Sequence, residues 1–121
     1  QEIAEFCFGV AMSKKLFLDD FRFPLDIYPE LDENEFDIIR SYDDFVDYIS
    51  KNGVPDFISF DNDLGFDVRR RKISLSGFEA AKWLVEQSGF NLKGLTYKVH
   101  SSDPNAEEKI TELLKKSIDT E

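Results

Sequence analysis

The chain has 121 residues, 41% of them hydrophobic, and 25 acidic against 15 basic side chains for a net charge of −10. That length is enough to bury one core, and that acidity argues against gripping the backbone of duplex DNA. Cys7 is the only cysteine, so an internal disulfide and zinc-finger spacing are both excluded, a reducing, cytoplasmic setting is expected, and no apolar run reaches the length of a membrane span.

Residues 1–11 are mildly apolar, carry acids and lack the basic start of a secretory signal. They read as a leader or an appended segment, or equally as an extra edge strand, and one domain is expected over 12–121. Residues 15–20, Lys-Leu-Phe-Leu-Asp-Asp, form a short apolar run closing on two acids, as a buried strand does where it meets a polar edge. Residues 21–35 hold Pro24, Pro29 and five acids, which predicts no regular helix. A second strand is expected over 36–40. Ser41 then stands as a helix N-cap, with Asp44 three residues on, before an apolar face of Phe45, Val46, Tyr48 and Ile49 that Gly53 and Pro55 end.

Residues 56–60 read as a third strand running into Asp61-Asn62-Asp63-Leu64-Gly65. A polar loop with Arg69, Arg70, Arg71 and Lys72 follows, either a cover for the site or a solvated balance to the acidic surface. Ser76 and Glu79 make a capping box for a helix with Phe78, Ala81, Leu84 and Val85 on its apolar stripe, stopped at Gly89. Trp83 reads as a packing anchor. Residues 95–99 alternate as a half-exposed strand, and Asp103-Pro104 caps a last helix lined by Ala106, Ile110, Leu113 and Leu114. Strands separated by helices predict an α/β fold with a mostly parallel sheet and right-handed crossovers.

In such sheets ligands bind beyond the carboxyl ends of the strands. Asp19 and Asp20, then Arg40, then Asp61, Asn62 and Asp63, then His100, Ser101 and Ser102 follow the four strands in turn. Carboxylates brought together without a cation repel, and Mg2+ (or Mn2+) relieves this with oxygen ligands while keeping water for a phosphate to replace. Taken singly, each Asp also suits a turn or a cap, His100 a structural place, Ser101 and Ser102 turn chemistry, and Arg22 and Arg40 surface ion pairs. Taken together, the arginines suit a phosphate clamp, and the start of the last helix suits an anion.

The segments Leu18-Asp19-Asp20-Phe21-Arg22-Phe23-Pro24, Arg40-Ser41, Ser59-Phe60-Asp61-Asn62-Asp63-Leu64-Gly65, Gly77 and Val99-His100-Ser101 resemble the cyclic-phosphate-processing receiver domains, a divergent branch of response-regulator receivers. The resemblance covers most of 15–105. It implies a receiver-like (flavodoxin-like) three-layer sandwich and an activity on cyclic phosphate ends of nucleotides or RNA. On this reading Asp19, Asp20 and Asp61 are expected to hold the metal, Arg22, Arg40, Asn62, Ser101 and Ser102 to meet the phosphate, His100 to act as general base or acid, and Asp63 to orient the water or complete the metal shell. Asn62 stands where the family commonly has histidine, and an amide cannot shuttle a proton at neutral pH. Signalling receivers also carry a fifth strand ending in lysine, which is not seen after the fourth strand here. The expected function is a metal-dependent phosphoesterase with a nucleotide or RNA-end partner, and no duplex DNA or membrane. The alternatives are a receiver phosphorylated at Asp61, or a non-catalytic acidic interaction protein.

Overall fold

The apolar runs of the sequence become strands where alternate residues can be buried on both faces, and the capped amphipathic runs become helices. The computed structural model describes residues 14–120, with side chains through 118. Its elements are β1 (Lys15–Leu18), α1 (Pro24–Ile27), a 3-10 turn (Glu33–Glu35), β2 (Phe36–Ile39), α2 (Tyr42–Asn52), β3 (Phe57–Phe60), β4 (Phe66–Asp67), β5 (Lys72–Ile73), α3 (Gly77–Glu86), β6 (Thr96–Val99) and α4 (Pro104–Thr120). The segment 1–11 lies outside the described residues.

Four strands form one parallel sheet in the order β2-β1-β3-β6. The chain leaves β1 toward one edge and returns to β3 on the other side, so the crevice beyond β1 and β3 is the topological switch point of a flavodoxin-like fold. The strands end level: Leu18 pairs with Ile39 and Phe60, and Phe60 with Val99. One further amide on three strands continues the ladder, Asp19 N–H to Ile39 O, Asp61 N–H to Leu18 O and His100 N–H to Phe60 O, at 2.8–3.0 Å. This register, rather than any one residue, delivers Asp19, Asp61 and His100 to a common rim.

The two faces of the sheet are covered differently. Leu16, Leu18, Ile58 and Phe60 pack with Phe45 and Ile49 of α2, Ala80, Ala81 and Leu84 of α3, and Ile110 and Leu114 of α4, all buried. Each large aliphatic side chain buried there contributes about 1.5–3 kcal/mol. On the opposite face Phe17, Phe36 and Phe57 make an aromatic layer, and Tyr28 from the β1–β2 connection stacks on Phe36 and meets Phe57 edge-on. The connection thus supplies the third layer. Trp83 packs edge-on against Phe45.

Ser41 and Ser76 cap α2 and α3 by accepting from the Asp44 and Glu79 N–H groups. Two segments depart from expectation. Residues 21–35 hold one α-helical turn, opened by Pro24 at its first position, and the 3-10 turn Glu33–Glu35. The arginine-rich stretch is not a loop but the turn of a β4–β5 hairpin, with Arg71 at φ 58 and its N–H bonded to Asp67 O. No Asn or Gly marked that turn, so the pattern gave no warning of it. Arg70 fastens the hairpin to Asp67, Asp44 and Asp43 at 3.0–3.4 Å. Among the described residues no helix is long and apolar enough to cross a membrane.

Candidate metal and phosphate site

Asp19 follows β1 and organises the turn that comes after it. Its Oδ1 accepts from the backbone N–H of Phe21 (3.0 Å) and of Arg22 (2.9 Å), and its Oδ2 accepts from Arg22 Nε (2.9 Å). Burial alone would push this carboxyl up, but the N–H groups of Arg22 and Phe21, then His100 and the Arg22 charge, outweigh it and hold the pKa below the ordinary value. Arg22 continues to Asp61, with Nη2 at 3.3 Å from Oδ1, so one guanidinium bridges both carboxylates. Burial and then the Asp19 charge raise Asp61 to about 6. Asp20 is raised too, by burial and by the charges of Asp19 and Asp63. Its carboxylate packs against Gly65, whose φ of 59 and missing Cβ leave room for it: a Cβ there would lie 2.7 Å from Asp20 Oδ2.

His100 sits beneath this cluster. Nε2 is 3.0 Å from Asp19 Oδ2, Nδ1 is 2.7 Å from Ser59 Oγ, and Ser59 Oγ is 2.7 Å from the Tyr28 hydroxyl. An ionised Asp19 can only accept, so Nε2 carries the proton. Burial lowers the His100 pKa, against the opposing pull of Asp19, and the neutral ring then accepts at Nδ1. The chain therefore runs Tyr28 O–H to Ser59, Ser59 O–H to His100 Nδ1, and His100 Nε2–H to Asp19. Phe17 stacks on the imidazole, ring centroids 4.6 Å apart. Both ring nitrogens of His100 are engaged, and its side chain is 3% exposed.

A cleft of about 570 Å³ opens above the carboxylates, lined by Asp20, Phe21, Arg22, Asp61, Asn62, Asp63, Ser101 and Ser102 among others. Of the residues expected to meet phosphate, Arg22, Asn62, Ser101 and Ser102 face this cleft. Arg40 does not. Its Nη1 donates to the backbone carbonyls of Asp19 and Arg22, and its guanidinium lies over the Phe23 ring at 4.8 Å. It braces the 19–23 turn from outside. Asn62 Oδ1 accepts from the Phe78 N–H, which leaves its NH2 for the cleft. Asp63 is exposed on the rim, with Oδ1 accepting from the Gly65 N–H.

Sequence reasoning missed Tyr28, which nothing singled out, and gave Ser59 no role although it opens the third of the resembling segments. Gly77 gains a reason: a Cβ there would stand 1.8 Å from the Asp61 carbonyl oxygen, so only glycine lets α3 start against the β3 tip.

The model of the cyclic-phosphate processing receiver domain matches residues 14–116. The chain belongs to that family. No curated protein and no solved structure matches it.

In this receiver domain the donor chemistry fits a small, hard dication. Ligand atoms of Asp19, Asp61 and His100 lie within 4.8 Å of one another. Both Asp19 oxygens already meet two donors each, so the carboxylate oxygen open to the cleft comes from Asp61 and Asp20, and Mg2+ or Mn2+ prefer oxygen. Asp61, raised by burial and by Asp19, is a carboxylate short of positive charge, which such an ion supplies.

Proposed function

We propose that this receiver domain is a metal-dependent phosphoesterase that hydrolyses a cyclic phosphate on a nucleotide or RNA end. One observation carries the reading: Asp20, Asp61 and Arg22 line one polar cleft beyond the β1 and β3 tips, and Arg22 bridges Asp61 to the buried Asp19 behind it.

Asp19, Asp20 and Asp61 would hold Mg2+ or Mn2+, which when bound polarises a phosphoryl oxygen and offsets developing charge. Arg22 binds phosphate oxygens through its planar fork. The Ser101 and Ser102 hydroxyls and the Asn62 NH2 donate to the same group. Asp63, exposed on the rim, takes the proton of the attacking water as its oxygen bonds to phosphorus. The bond from phosphorus to one sugar oxygen breaks, and that oxygen takes up a proton to leave a hydroxyl. His100 keeps Asp19 oriented, and is a positioning residue.

Hydrolysis of a nucleoside 2′,3′-cyclic phosphate with Mg2+ tests this. Turnover is expected for the unaltered chain and is lost in EDTA, in Asp61→Asn and in Asp63→Asn. Turnover that survives EDTA, or no turnover at saturating Mg2+, overturns the reading.

The position of Asp61 favours one second reading. Its carboxylate meets the cleft from the tip of the central β3 strand beside the acidic pair, where a receiver would accept a phosphoryl group. Labelling by acetyl phosphate at Asp61, without cyclic-phosphate turnover, would select that reading.

A further inference from the structure

We propose that Phe21 is a stacking platform for one nucleobase, which makes the site selective for nucleoside phosphates over sugar phosphates that lack a base. This deepens the phosphoesterase reading and rests on it.

Phe21 is 69% exposed, the largest exposure of any phenylalanine among the described exposed hydrophobics, yet it lines the cleft. An aromatic ring in water without a core role invites a partner with an apolar face. Its root is rigid: its own N–H is held by Asp19 Oδ1, and the next residue is tied to that carboxylate by both backbone and side chain. The Arg22 guanidinium lies over the ring, its Cζ 5.7 Å from the centroid, so a base would stack on the opposite face. A phosphate gripped by Arg22 and a base on Phe21 are thus about one ribose apart, as they are within a single nucleotide.

The surrounding charge narrows the ligand. Asp20, Asp63 and Asp103 line the same cleft, so whatever extends beyond the bound phosphate is best uncharged, as a base is. The π-face of a base needs no countercharge, and stacking on an aromatic side chain tolerates any base. Phe23, two residues along, makes the contrast: its ring lies beneath Arg40 and does not line the cleft.

Equilibrium binding in saturating Mg2+ separates the possibilities. The probes are a nucleoside 3′-monophosphate, which cannot turn over, and ribose 3-phosphate, which lacks the base. The full chain is expected to prefer the nucleotide by roughly 5- to 100-fold. Phe21→Ala should erase that preference while both probes still bind, Phe21→Trp should keep it, and Phe66→Ala, outside the cleft, should not alter it. Equal affinity for both probes, or a preference that survives Phe21→Ala, overturns the platform while cyclic-phosphate turnover keeps the enzyme reading. If neither probe binds and no cyclic phosphate is turned over, both fall together.

Discussion

Replacing Asp61 by Asn asks whether the rim carboxylates oppose one another when no cation is bound. The residue is 5% exposed, and burial with the Asp19 charge moves its pKa from 3.8 to about 6. At about 1.36 kcal/mol per unit, the ionised group weakens the fold by about 3 kcal/mol above that pH. Asn retains an acceptor for the Asn62 N–H, 2.8 Å from Asp61 Oδ1, but gives up the charge that meets Arg22 at 3.3 Å. The net gain in EDTA near pH 7.5 is therefore expected at about 1–2 kcal/mol, or roughly 4–10 °C in Tm. The folded pKa is raised, so the native state holds this proton more tightly than the unfolded chain. The penalty is full above about 6 and vanishes below 3.8. Thermal unfolding of both proteins across that range should show the two Tm values converging as pH falls, with His100 common to both and cancelling. Added Mg2+ should raise the unaltered protein's Tm and not that of Asp61→Asn. A variant that melts lower at pH 7.5 in EDTA, or a gap independent of pH, refutes the reasoning.

Ser59→Ala strands the Tyr28 hydroxyl and His100 Nδ1, at an expected cost of about 1–3 kcal/mol. Ring-nitrogen NMR should then lose the single Nε2–H tautomer; an unmoved spectrum with unmoved stability would contradict the relay. Gly77→Ala drives a Cβ into the Asp61 carbonyl and is expected to cost about 2–3 kcal/mol in denaturant unfolding, whereas an unchanged midpoint would deny the close approach. Arg70→Ala should release the hairpin locally. Amide exchange at Arg71 and Ser74 should accelerate while β1 and β3 stay protected, and a uniform acceleration would make Arg70 a global anchor instead.

The parallel sheet was legible because its strands are short apolar runs separated by capped, periodic helices, and the cap at Ser41 and the stripe through Ile110 follow from local rules. Asp19, Asp61 and His100 could be placed at strand ends from sequence, because in a parallel sheet residues after each strand share a rim. What each side chain does there was not legible. Arg22 and Arg40 are the same residue type near the same rim, yet one bridges carboxylates while the other holds carbonyls, and only the path of the 19–23 turn separates them. His100 has the composition of a general base, but its partners come from residues 41 and 81 positions away. The β4–β5 hairpin closes through the left-handed Arg71 while its neighbour Arg70 is held by distant acids, a tertiary cause that no window of sequence contains.

The connection between β1 and β2 has two duties at once. One end forms the wall that holds Asp19 and Arg22, and the middle, through Tyr28, packs on Phe36 and Phe57. A ligand that pried the wall outward would therefore uncork the aromatic layer, so the crevice is obliged to receive its guest nearly ready-made. Tolerance to substitution along this stretch should accordingly be poor even at positions far from any bound molecule, because recognition and foldedness are written on the same short ribbon.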